Sequence, residues 1–174
     1  MNKRKLFLFG LDAVLILFLI WFDQFTKDLA VNKLMGKPAF VIWEGVFELD
    51  YLENRGVAFG MLQNKIPFIL TVGVLFLGCI VWLLGRMPDT KKFNILHIVF
   101  SFIIAGGIGN MIDRVTNGYV IDFFSFVLIN FAIFNVADVY VVCATICLAI
   151  MILFVYKDDE LTFLDFKRKS KQEN

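Results

Sequence analysis

Asp122 and Asp138 are two carboxylates in an apolar stretch that begins near Tyr119 and ends near Tyr156. Polar, turn-forming motifs lie beside both: GNMIDR before the first and FNVAD around the second. Few groups are costlier at hydrocarbon depth than a carboxylate, so one that is kept there reads as functional. Two that converge can share a proton, because like charges in a dry site resist ionising together. The chemistry on offer is general acid/base work, in which the ionised carboxylate takes a proton and the protonated one donates. The competing reading is that Asp122 caps an interfacial helix and Asp138 caps the last apolar helix.

Such a pair needs an apolar frame, and the composition supplies one. Hydrophobic residues make up 59% of the chain, charged residues 19%, and mean hydropathy is +0.76. That is an integral membrane protein rather than a soluble domain. A formal net charge of +1 gives no sign of a nucleic-acid partner. Cys79, Cys143 and Cys147 all lie in apolar segments and read as packing residues. The lone histidine, His97, cannot build a zinc site, so no metal or other cofactor is expected.

Four segments are long and apolar enough to cross ~30 Å of hydrocarbon: about 6–29, 66–85, 93–111 and 135–156. The first reads as a retained span, since its apolar run is long and no small-residue cleavage site follows. The stretch from Tyr119 to Phe134 is short and apolar, which leaves a fifth span, an interfacial helix or a re-entrant piece open. Charge favours four spans. Four place Lys3, Arg4 and Lys5, the loop with Arg86, Lys91 and Lys92, and the tail with Lys167, Arg168, Lys169 and Lys171 on one side, the cytoplasmic one. Extracytoplasmic segments then cover about 30–60 and 112–134, and residues 157–174 form a cytoplasmic tail. Within the tail, Leu161 to Phe166 suits a short interfacial helix.

The outer loop carries a strand signature. Apolar and acidic residues alternate from Phe47 to Tyr51, Phe40 to Trp43 is β-prone, and Glu44-Gly45 can turn between them. The expected fold is therefore mainly α, four membrane helices with a small sheet on the outer surface. Asp12, inside the first span, has no partner visible in the sequence.

Four polar clusters stand out against this background: DQFTK (23–27), ENRGVAFG (53–60), AGGIGNMIDR continuing to VIDFF (105–124), and FNVAD (134–138). On the four-span topology all fall at the outer face. Asp23 and Lys27 have the i, i+4 spacing of a local ion pair. Asn54, Asn110 and Asn135 can hydrogen-bond an extended substrate backbone without carrying charge into the membrane, or serve as turn and cap residues. Asp113 and Arg114, being adjacent on a helix, point in different directions. Gly56, Gly106, Gly107 and Gly109 permit close backbone approach.

In order and hydropathy these clusters resemble the four signature regions of the lipoprotein signal peptidases, also called signal peptidase II. The resemblance runs from Asp23 to Asp138. It implies an aspartic endopeptidase with Asp122 and Asp138 as the catalytic pair. It implies that Asp23, Asn54, Asn110, Asp113, Arg114 and Asn135 line or support the site. It further implies four membrane helices with a small extracytoplasmic β-rich cradle, in the bacterial cytoplasmic (inner) membrane. The substrates would be diacylglyceryl-modified prolipoproteins, cut just before the lipid-bearing cysteine. Membrane lipids are the other partner, with a monomeric enzyme sensitive to globomycin-type cyclic peptides. A proton- or cation-conducting carrier would spread polar residues through the membrane, and an assembly factor would not need both carboxylates. The motifs HExxH and GxSG of other intramembrane proteases do not occur.

Overall fold

The computed structural model describes residues 3–56, 61–157 and 159–164. Among these described residues, four helices are long and apolar enough to cross a membrane. They are α1 (Lys3–Leu34), α2 (Ile66–Arg86), α3 (Asn94–Thr116) and α4 (Val136–Ile150), the last prolonged by a wider turn over Met151–Val155. Three strands, β1 (Phe40–Trp43), β2 (Phe47–Asn54) and β3 (Val120–Phe126), form one antiparallel sheet in that order.

Each boundary has a local cause. Pro67 sits in the first turn of α2, where its missing N–H is not needed. Asn135 caps α4: its side chain accepts the backbone N–H of Asp138, and Asp138 accepts the N–H of Asn135. This capping box satisfies two otherwise orphaned donors at the point where α4 enters the apolar layer. Gly45 takes a positive φ of 70° in the β1–β2 turn, as the Glu44-Gly45 pair predicts.

The helix α3 is central and packs against α1, α2 and α4. Where α3 meets α4 the backbones touch. A Cβ added at Gly106 would stand 2.8 Å from Val141 Cγ2 and 2.5 Å from the Ala137 carbonyl oxygen. Small residues are what allow helices to approach this closely in lipid, where dispersion rather than water drives packing. The outward faces stay apolar, with Phe7, Leu17, Trp21, Leu75 and Phe154 all exposed, as lipid-facing helix surfaces are.

The sheet lies at the end of the bundle where α1 and α3 finish and α2 and α4 begin. Ile121 and Phe123 of β3 are buried with Leu19, Ala30, Leu34, Val136 and Tyr140, which fixes the sheet on α1, α3 and α4. A second core, with Phe93 stacked on Tyr156 and edge-on to Phe163, closes the opposite end.

One sequence expectation changes. The stretch from Tyr119 to Phe134 is neither a span nor an interfacial helix. It is β3, a short turn over Val127–Ile129, and an extended return in which Phe134 bridges to Phe124. Its β-branched and aromatic residues suit a strand covered on both faces, where alternation disappears. Asp122 therefore does not cap a helix. In the tail, Glu160–Leu164 is a short helix of the 3-10 type, covering the described part of the expected Leu161 to Phe166 helix. Residues 165–174, with the last basic cluster, lie outside the described residues, as do residues 57–60.

Candidate active site

Asp122 sits in the middle of β3, opposite Leu52, and Asn54 pairs with Val120 two places along. Side chains two apart share a strand face, so Asn54 and Asp122 project together. Asn54 Nδ2 donates to Asp122 Oδ2 at 2.9 Å, and Asn135 Nδ2 donates to Asp122 Oδ1 at 2.6 Å. Asp138, in the first turn of α4, accepts Asn110 Nδ2 at 2.8 Å on Oδ1 and the Asn135 N–H at 3.2 Å on Oδ2. Each carboxylate thus has a donor on both oxygens, and Asn135 touches both residues.

Behind them lies a buried charge cluster. Lys27, its side chain 2% exposed, reaches Asp23 at 2.9 Å, Asp113 at 3.0 Å and Asn110 Oδ1 at 2.9 Å. Asp23 also accepts the backbone N–H of Ala137 at 3.0 Å, and Asp113 that of Ile121 at 3.1 Å. Gln24 Nε2 bridges Asp23 and Asp113 at 3.1 and 3.0 Å. A Cβ at Gly109 would collide with the Asp23 carboxylate, so only glycine lets α3 pass it. Arg114 turns the other way, donating to Gly56 O at 2.7 Å and Asn110 O at 3.1 Å. Its Nε is the buried side-chain polar atom without a hydrogen-bond partner among the described residues.

Asp122 and Asp138 line one cavity of about 560 Å³, with Asn54, Asn110 and Arg114 as further polar lining. The other walls are apolar: Ile69, Phe76 and Leu77 from α2, Met111 from α3, Phe131 and Phe134 from the return after β3, and Val139 and Val142 from α4. Burial pushes the Asp122 carboxyl up to about 7, and the Asp138 charge adds to this. The Asn54 and Asn135 hydrogen bonds and the Lys27 charge oppose it. A carboxyl that keeps its proton to near neutrality, beside a second carboxylate in an apolar pocket, can do general acid/base work. Among the described residues no group of three or more His, Cys, Asp or Glu side chains is arranged to hold a metal ion.

The sequence-predicted residues Asp23, Lys27, Asn54, Gly56, Asn110, Asp113, Arg114, Asp122, Asn135 and Asp138 are brought together here. Asp113 and Arg114 do diverge, and Asp23 and Lys27 do pair. The three asparagines differ from expectation in one respect: Asn54, Asn110 and Asn135 are spent on the two aspartates. Gln24 joins the cluster as well, and the amide inside DQFTK is the signal the sequence carries for it. Asp12 finds a partner away from the site: its Oδ2 lies 2.6 Å from His97 Nδ1, and Ser101 donates to its Oδ1 at 3.4 Å. Cys143 lines the cavity, and all three cysteines are free.

The family model for signal peptidase (SPase) II matches residues 15–154. A lipoprotein signal peptidase of Caldanaerobacter subterraneus subsp. tengcongensis is 39% identical over 141 residues, 81% of this chain and 94% of that protein. Those of Streptococcus thermophilus and Clostridioides difficile are 40% and 39% identical, over 84% and 83% of this chain and 92% and 95% of theirs. A bacterial membrane enzyme solved by the in meso method at 2.3 Å resolution superposes with a TM-score of 0.75 at 25% identity, covering 92% of this chain and 95% of that one. A second, at 1.9 Å resolution, gives 0.73 at 27% identity, over 84% and 95%.

Proposed function

Because the chain belongs to the signal peptidase II family, we propose that Asp122 and Asp138 are the pair with which it cuts. The protein is a membrane-embedded, multi-pass protease that removes signal peptides from prolipoproteins. The observation that carries the assignment is the apolar cavity that both carboxylates line, with a donor on each of their oxygens.

Asp122 holds the shared proton near neutral pH. Asp138, at the N-terminal end of α4 where the helix dipole favours negative charge, is the base. A water between them gives a proton to Asp138 as its oxygen attacks the scissile carbonyl, and Asp122 donates to the carbonyl oxygen. The tetrahedral intermediate then collapses. Its C–N bond breaks, the leaving nitrogen takes a proton from the pair, and a new carboxyl terminus and a free amine result. Arg114 has a donor left for a substrate carbonyl. No metal takes part.

The substrate is a prolipoprotein carrying diacylglyceryl on its cysteine, cut just before that residue. Two acyl chains fix its depth, each buried CH₂ contributing ~0.8 kcal/mol, and set the scissile bond level with the pair. The four helices are the spans. Both termini and the Arg86–Lys92 loop face the cytoplasm, and the sheet faces outward. The enzyme acts as a monomer and is blocked by globomycin-type cyclic peptides, which present a peptide-like backbone to the same cavity.

The test is Asp122→Asn and Asp138→Asn, each assayed as inserted protein on a lipidated precursor. Neither variant should cleave it. Near-normal turnover by either would remove the pair from the mechanism.

A further inference from the structure

We propose that Lys27 is the positioning residue of this site, a single buried ammonium that sets the placement of both aspartates through all three of its N–H bonds. The inference rests on Asp122 and Asp138 being the catalytic pair. Lys27 lies on α1 and touches neither of them. Two of its contacts lead to the backbone beside one of them, and the third leads to Asp138 itself.

The first contact is Asp23, whose other oxygen accepts the N–H of Ala137, the residue before Asp138. The second is Asp113, which accepts the N–H of Ile121, the residue before Asp122. The third is Asn110 Oδ1. This contact decides how the Asn110 amide lies. With Lys27 and Asn135 both donating to Oδ1, the Asn110 Nδ2 is left to face Asp138 Oδ1, where it sits at 2.8 Å. An amide turned over would set its NH₂ against the ammonium. The three donors of an ammonium are thereby used in full.

A tie between α1 and α3 does not call for this arrangement. Lys27 has a side chain 2% exposed, and a cation so buried is expensive unless every hydrogen is met. Apolar contacts hold the same helices elsewhere. The geometry is that of a hub whose carboxylate arms grip the backbone beside each aspartate and whose third arm orients a side chain on one of them.

The experiment measures kcat and KM of the full chain in mixed detergent–lipid micelles, with a lipidated fluorogenic precursor peptide. Lys27→Met should fold, keep KM within about threefold, and lose about 100-fold in kcat, the cost of a small misplacement of reacting groups. Combined with Asn110→Ala, the losses should overlap in part and fall short of multiplying, since one of the three Lys27 arms runs through that amide. A Lys27→Met enzyme with wild-type kcat, or losses that multiply, would overturn the proposal. If that variant is not recovered as inserted protein, Lys27→Arg decides. Arginine keeps the charge but directs its donors from a plane, so kcat should fall about tenfold or more at unchanged KM; wild-type kcat would again reject the hub. Active Asp122→Asn or Asp138→Asn would instead reject the catalytic pair itself, so the two failures are told apart.

Discussion

Replacing Asp122 by asparagine should make the folded protein more stable above neutral pH, in the same variant that is expected not to cleave. The Asp122 carboxyl stands at about 7 in the folded state against an ordinary 3.8. Between those values the folded protein holds a proton that the unfolded chain has released, so stability falls as pH rises through that window. Above about pH 7 the full penalty of a buried negative charge is present, ~4 kcal/mol from the difference between the two values. Asparagine carries no charge and escapes it. The variant does lose something, because its NH₂ must face the Asn54 or Asn135 donor that the carboxylate accepted. That loss, ~1–3 kcal/mol, is much the same at any pH. The informative quantity is therefore the change with pH of the difference between variant and wild type. It should grow in the variant's favour by up to ~4 kcal/mol from pH 4 to pH 8. For a chain of this size that is about 8–16 °C in unfolding temperature. Thermal unfolding in neutral detergent micelles, followed by tryptophan fluorescence, would read it. A difference that stays flat across the range, or that grows as pH falls, would refute the reasoning.

Three further outcomes follow from the arrangement. A cysteine placed at Lys91 should be unreactive to a membrane-impermeant reagent in intact cells, and one at Glu44 should react; outside labelling at position 91 would put the site on the wrong face. Activity should survive chelators, because the two carboxyls handle the protons themselves; loss in EDTA that a divalent ion restores would contradict this. A diacylglyceryl precursor should be cleaved with higher kcat/KM than the same peptide held at the membrane by a transmembrane anchor, and equal rates would reject lipid recognition.

The four helices were legible because each carries its own run of apolar residues, and β1 and β2 because apolar and polar residues alternate around Glu44-Gly45. The strand β3 was not. Ile121 and Phe123 face the core while Val120 and Asp122 line the cavity, so both faces are covered and the run reads as featureless. Asp122 and Asp138 could be found as carboxylates in apolar sequence, and Asp23 with Lys27 from their spacing. The direction in which an amide bonds is different in kind. Asn54 meets Asp122 across 68 positions and Asn110 meets Asp138 across 28, and nothing local records either pairing. Asp12 looked unpartnered for the same reason: His97 is 85 residues away on α3.

The contact between Asp23 and the Ala137 N–H joins the first helix to the start of the last across 114 positions. A ribosome delivers these two ends at opposite moments of synthesis. While α1, α2 and α3 enter the bilayer, Asp23 has no Ala137 N–H to accept and Asn110 no Asp138 to meet. The pair exists only once α4 has been threaded in. On the proposed assignment, truncated or stalled products that stop short of Asp138 lack half of the pair and should be proteolytically silent.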